Sequence, residues 1–399
     1  MPRDEGRRDV NVRNLSRLAI LVIVFAAVSA SVGVGGPVSA DRGGTAECVK
    51  GRDWPIIGGN AANLNAACAE GPGDGALRYT VAFEGAGGPV LAVGGILFVP
   101  TGAVWGGPNR VTALGAATGE FLWAKDFSTP PILTASGKGL LFVGTFGGTL
   151  YALRTHTGRE AWTFSTTNWI VPIYADGIVF AASFDGYLHA LEATTGTEIW
   201  RFAPGTAHWP AIGMGLVFLA VDHVLYALDA SNGTERWSVA LDSFIGGQPT
   251  LYRGSVYVGT GGLGASGFAY ALDALTGEIV WSRPIGYDVY VEAVTQGIVL
   301  LTGPWPLTTR LQALDANTGD TIWEFGPFQF PQYGVTVSGS QVVAVTFEGV
   351  IHALDLRTGA GRWSAPLTGP IHNQVRPSPV RGTIAVATGT TLHVFGPVR

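Results

Sequence analysis

The stretch YALDALTGEIVW, Tyr270–Trp281, decides how this chain folds. Tyr-Ala-Leu is apolar and suits the end of a strand. Asp273 can bond its own backbone two residues on, and Gly277 can take a positive φ with no Cβ to clash, so Asp-Ala-Leu-Thr-Gly reads as a turn. Ile279, Val280 and Trp281 restart a strand with β-branched and aromatic side chains. One such hairpin is marginal in water, because an apolar face stays uncovered.

The unit recurs. TALGAATGEFLW ends at Trp123, YALRTHTGREAW at Trp162, HALEATTGTEIW at Trp200 and YALDASNGTERW at Trp237. QALDANTGDTIW ends at Trp323 and HALDLRTGAGRW at Trp363. In every copy a Leu lies nine residues before the Trp and a Gly four before it, and successive Trp residues are 39, 38, 37, 44, 42 and 40 apart. A period near 40 with short strands in each repeat predicts an all-β β-propeller with four antiparallel strands per blade.

Counting blades needs both ends of the repeat region. LRYTVAF, Leu77–Phe83, reads as the last strand of a blade, with Tyr79 in the Trp position and no earlier strands before it. After Trp363, Ile384–Ala387 and Leu392–Phe395 read as the second and third strands of a blade that lacks its fourth. Pairing the N-terminal strand with the C-terminal blade closes an eight-bladed ring and removes the sheet edges an open array would expose. Within the second blade, Gly137 and Gly139 are expected to serve the first turn and Thr157-Gly158 the third.

The motif A-x-D-x-x-T-G-x-x-x-W resembles the PQQ-like (quinoprotein-type) propeller repeat over roughly Leu77 to the C-terminus. Within that family the chain resembles the non-catalytic, BamB-like eight-bladed members. The lead-in Asp53-Trp54-Pro55, followed by Gly58-Gly59-Asn60, adds to the resemblance. It implies that Trp123, Trp162, Trp200, Trp237, Trp281, Trp323 and Trp363 dock against neighbouring blades, each burying about 150–250 Å². It also implies a binding or scaffold module for protein, peptide or glycan partners, with no cofactor. The alternative it leaves is a small quinoprotein oxidoreductase holding PQQ with calcium. Such enzymes carry adjacent cysteines and a calcium set, and the sequence offers neither.

Composition narrows the partners. Charged residues make up only 13%, glycines number 58, and the formal net charge is −5 with no basic run outside the N-terminus. That argues against nucleic acid. Residues 1–40 read as a targeting segment: Arg3, Arg7, Arg8, Arg13 and Arg17 precede an uncharged run from Leu18 to Val34, and Val38-Ser39-Ala40 offers a cleavage site. Cleavage there implies a secreted, cell-envelope or periplasmic protein, and the closed ring is expected to be a monomer. An uncleaved segment would instead anchor the chain to a membrane, although 17 residues is short for a span. Residues 41–76 form an extension whose Cys48 and Cys68 are expected to pair in an oxidising compartment, and residues 77–399 form the propeller.

No nucleophile, metal or phosphate motif occurs. Asp229, Asp273, Asp315 and Asp355 recur at one turn position and cannot converge on one ligand, so they read as turn formers. His189, His352 and His393 stand where sister repeats carry Tyr151, Tyr226 and Tyr270, and read as strand residues. The varied face is the other one, where the inter-blade segments and the second turns emerge. It carries Trp169, His208, Trp209, Phe244, Gln248, Tyr287, Tyr290, Glu292, Phe328, Tyr333, His372, Asn373, Gln374 and Arg376, and longer second turns add Trp105 and Trp305. Aromatic side chains with a few polar groups suit a peptide, glycan or flat ring. Two readings stay open: these residues contact a partner, or they plug the mouth of the channel. Cleavage is expected to give a mature N-terminus at Asp41 with no free thiol, which N-terminal sequencing and thiol counting check; an intact Met1 in the membrane fraction would mark an anchor.

Overall fold

The computed structural model describes residues 66–67, 70–85, 87–102, 107–205, 209–262, 266–286, 288–303, 309–328, 334–371, 375–380 and 382–396. The expected targeting segment, Cys48, Cys68 and the Asp53-Trp54-Pro55 lead-in lie outside them. Among the described residues there are strands and turns and no helix. The strands form eight antiparallel four-stranded blades. Blade 1 comprises Leu91–Val93, Ile96–Thr101, Arg110–Gly115 and Phe121–Asp126. The inner strands of blades 2 to 7 begin at Pro131, Ile170, Ala211, Thr250, Tyr290 and Val335. Blade 8 is composite: Ser378–Val380, Thr383–Ala387 and Thr391–Phe395 continue into Leu77–Ala82. The join is antiparallel, with Tyr79 opposite Val394 and Ala82 opposite Thr391.

Strand position explains strand composition. Second strands such as ILFVPT, LLFVGT and LVFLAV are buried along their whole length. They pack against blades on both faces, so their apolar residues run without alternation. Outer strands such as ERWSVA alternate, because one face meets the next blade and the other meets water.

First turns are two-residue connections. In blade 2 the turn residues are Lys138 (φ 55°) and Gly139 (φ 75°), the left-handed pair that suits a right-twisted hairpin. Gly137, expected in that turn, is instead the last residue of the inner strand. Its missing Cβ makes room for the ring of Tyr174 from blade 3.

One lock joins successive blades. The indole N–H of Trp123, Trp162, Trp200, Trp237, Trp281 and Trp323 donates to the carbonyl of Thr155, Ala193, Ala230, Ala274, Ala316 and Leu356 in the following blade, at 2.9–3.1 Å. Its ring lies on the glycine of that blade's Thr-Gly or Asn-Gly turn. A Cβ on Gly158, Gly196, Gly233, Gly277, Gly319 or Gly359 would sit 2.6–2.8 Å from the indole. Across the seam Trp363 donates to Pro72 O at 2.8 Å and lies on Gly75. Tyr79 completes the circle, its hydroxyl donating to Ala116 O at 2.9 Å with its ring beside Gly119. The repeated Asp holds the same turn: Asp273 accepts from the N–H groups of Leu275 and Thr276, both at 2.9 Å.

The chain before blade 8 does more than lead in. Ala66–Ala67 pairs parallel to Val335–Ser338, adding a fifth strand on the side of blade 7's inner strand away from its own blade partner, where the ring axis lies. Gly339 N–H donates to Ala67 O and Ser340 N–H to the Glu70 carboxylate. The segment therefore crosses from the ring's centre to the Thr-Gly face before reaching Leu77.

Trp281→Ala is expected to cost about 3–5 kcal/mol of unfolding free energy, as large-to-small aromatic changes in cores do. Gly75→Ala, which adds a Cβ under Trp363 at a left-handed backbone position, is expected to cost about 1–3 kcal/mol. Denaturant titration checks both; a loss below about 0.5 kcal/mol for Gly75→Ala would mean the seam is not held by this contact.

Candidate functional site at the inter-blade mouth

The ring has two unlike faces. The Thr-Gly and first turns emerge on one, built from near-identical residues. Inter-blade segments and second turns emerge on the other, and there the sequence differs from blade to blade. Of the residues expected at this mouth, Trp105, His208, Tyr287, Trp305, Tyr333, His372, Asn373 and Gln374 lie outside the described residues.

Phe328 ends blade 6's outer strand, and the others divide by burial. Trp209, Gln248, Glu292 and Arg376 are at most 2% exposed. Trp209 belongs to the core that spans blades 2 to 4. Glu292 is the bulge residue of blade 6's inner strand, where register shifts between Val291 and Ala293. It accepts the Thr302 hydroxyl. Gln248 leads into blade 5's inner strand, and its carbonyl oxygen has no hydrogen-bond partner among the described residues. These four support the mouth from within.

Trp169, Phe244 and Tyr290 are partly exposed. Trp169 stands between two second turns. Its ring centroid lies 4.2 Å from Phe146 of blade 2 and 5.2 Å from Phe184 of blade 3, both tilted rather than parallel. Asn168 fixes the segment: its carbonyl oxygen accepts Trp169 N–H at 2.8 Å and its amide donates to Phe184 O at 3.3 Å. Phe184 N–H closes back onto Trp169 O at 2.9 Å. Trp169, Phe146, Phe184 and Tyr290 all pack against the core that contains Trp209. Phe146 and Phe184 did not stand out in the sequence, since each is a single aromatic in a glycine-containing turn. Only the approach of neighbouring blades sets them around Trp169.

The arc continues through backbone contacts. Gly205 N–H donates to Gly186 O, Ile245 N–H to Asp222 O, and Gly261 N–H to Phe244 O. A Cβ on Gly246 would meet the Tyr290 ring at 3.3 Å, and one on Gly261 would meet the Asp288 backbone at 2.5 Å. Blades 2 to 6 therefore share one continuous rim. Among the described residues no group of three or more His, Cys, Asp or Glu is placed to hold a metal ion. The strand histidines stay within their blades: His189 Nδ1 is 2.7 Å from Glu198 Oε1, and His393 Nε2 is 3.1 Å from Thr368 O.

Comparison with known proteins follows this geometry. The family described as outer membrane protein assembly factor BamB matches residues 67–169, 107–205, 184–288 and 308–395. The crystal structure of BamB from Moraxella catarrhalis superposes with a TM-score of 0.64 at 16% identity, over 80% of this chain and 99% of that one. Quinohemoprotein alcohol dehydrogenase from Comamonas testosteroni superposes with a TM-score of 0.69 at 16% identity, over 94% of this chain and 85% of that one. At such identities the likeness is one of fold. The serine/threonine-protein kinase AfsK of Streptomyces griseus is 30% identical over 159 residues, 36% of this chain. The match spans only 18% of that relative's length.

The shifted carboxyls of the Thr-Gly turns and Asp288 at the mouth titrate in opposite senses. On the Thr-Gly side, the Ser231 hydroxyl and Arg236 hold Asp229 down at about 2, Arg362 and Thr358 hold Asp355 at about 2, and Thr194 holds Glu192 at about 2. At the mouth, burial pushes the Asp288 carboxyl up from its ordinary value. A depressed carboxylate stabilises the fold above its unfolded value and loses that contribution as pH falls through its folded value. A raised one does the reverse. The Tm deficit of Asp355→Asn is therefore expected to shrink as pH falls from about 4 to 2. Asp288→Asn is expected to gain on the parent chain as pH rises above about 4. Calorimetry across this range checks both signs.

Proposed function

The chain belongs to the PQQ-like propeller family described as outer membrane protein assembly factor BamB, and from that membership we propose that it is an exported scaffold that binds protein partners at the inter-blade mouth. One observation carries the reading: the fold leaves Phe146, Trp169 and Phe184 partly exposed in a single cluster on the face whose sequence is free to vary. Rigid aromatic side chains offer large contact area at little entropic cost, which suits them as anchors at an interface. The apolar run and small-residue site at the N-terminus support export to the cell envelope.

The quinohemoprotein likeness raises the alternative of a PQQ-dependent oxidoreductase, and among the described residues no group of three or more His, Cys, Asp or Glu is placed to hold its calcium. Glu292 is the one buried carboxylate among them, and the Thr302 hydroxyl already engages it. Cys48 and Cys68 are not adjacent in sequence. We derive no catalytic step through PQQ.

Photo-crosslinking tests the scaffold reading. A photoreactive residue at Thr167, exposed beside Trp169, is expected to give discrete protein adducts in the cell envelope. The same residue at Thr195, exposed on a Thr-Gly turn, is expected to give none. Equal adducts from both positions, or none from Thr167, would place binding elsewhere.

A further inference from the structure

The charge distribution around the mouth says what kind of protein segment it takes. The ion pairs among the described residues sit on third strands, outer strands and Thr-Gly turns: Arg110–Asp126, Lys125–Glu160, His189–Glu198, Arg236–Asp229, Arg283–Asp320, Arg310–Glu324 and Arg362–Asp355. Along the rim of blades 3 to 6 the pattern changes. Asp185, Asp222, Asp242 and Asp288 form no ion pair with another described residue. Asp222 and Asp242 are exposed, and Asp185 and Asp288 partly so. Asp185 sits next to Phe184 and is joined through Gly186 and Gly205 to the turn that carries Asp222. Asp222 and Asp288 both hold positive φ, at 51° and 22°. Among the described residues nearby, Arg201 is a cation, and it lies over the Tyr187 ring at 5.3 Å.

Carboxylates left without a cation on one rim create a negative potential that favours a positive partner. The aromatic faces at the end of that rim favour the same chemistry, since a guanidinium or ammonium is attracted to a ring face once water is displaced. Two independent features, charge and aromatic surface, thus select one occupant. We propose that the inter-blade mouth docks an extended, Lys/Arg-rich segment of a partner protein, with a cationic side chain against the Phe146–Trp169–Phe184 cluster and others facing Asp185, Asp222 and Asp288. This rests on the scaffold reading and adds the chemistry of the partner. An anionic glycan or acidic peptide would meet repulsion along the whole arc.

Fluorescence anisotropy tests it on the full chain. The probes are a labelled peptide of about twelve residues made of Lys, Arg and Gly, and its counterpart with Glu in place of every cation. The basic peptide is expected to bind, and to bind about tenfold more weakly when salt rises from about 50 to about 300 mM. The acidic one is expected not to bind. Trp169→Ala and the triple variant Asp185→Asn/Asp222→Asn/Asp288→Asn are each expected to weaken binding by about tenfold or more. Asp320→Asn, on the opposite face, is expected to change nothing. Should Trp169→Ala fail to fold, the exposed Asp222→Asn alone is expected to weaken binding by about twofold to fivefold. Equal binding of both peptides, no binding of the basic one, or loss equal in the Asp320→Asn control overturns the proposal. Failure here with discrete crosslinks from Thr167 leaves the scaffold standing and refutes only the basic partner. Basic-peptide binding at the mouth without protein crosslinks upholds this chemistry while removing the scaffold reading.

Discussion

The ring depends on one contact repeated around it: an indole lying on a glycine and donating to a carbonyl of the next blade. Each such hydrogen bond is worth about 1 kcal/mol net, and the ring burial adds more. The glycine is required twice over. It takes the left-handed backbone of the turn, and it leaves the space that a Cβ would fill. The two residues of the motif are thus halves of one lock, placed in neighbouring blades. No blade can satisfy its own Trp, so each folds only against its successor. That is why the hairpin at Tyr270–Trp281, marginal alone, is stable in the array.

Because the lock works at the Thr-Gly turns, it constrains that face and leaves the other free. The constrained face repeats an Asp that caps its turn and, in two blades, an Arg that pairs with that Asp. The free face carries no such obligation. Its inter-blade segments need only bridge two strands and seal the core, which Trp209, Gln248, Glu292 and Arg376 do from inside. What remains outward there is a rim of aromatics and carboxylates. A rigid ring that spends its stability on one face presents a varied surface on the other, which is the architecture a binding scaffold needs.

The composite blade applies the same physics to the chain ends. Tyr79 substitutes for Trp with a hydroxyl that reaches Ala116 O, and Gly75 receives Trp363. Two short residues upstream, Ala66 and Ala67, use backbone hydrogen bonds along the free edge of blade 7's inner strand. Small side chains suit that place, where strand edges converge on the axis and volume is scarce.

The sequence by itself determined the blade: its strands, its turn, the spacing of Trp and Gly, and the count of eight through the spare strand at Leu77 and the missing one after Phe395. These are local or periodic signals, and periodicity survives without coordinates. It misread Gly137, because the need for a small residue there comes from Tyr174 in another blade. It could name Trp169 and Tyr290 as candidates but not what surrounds them, and it passed over Phe146, Phe184 and the strand at Ala66–Ala67. Only the tertiary structure decided which mouth residues are buried supports and which are surface. Burial at the mouth is set by how adjacent blades approach, and that distance is encoded in no single repeat.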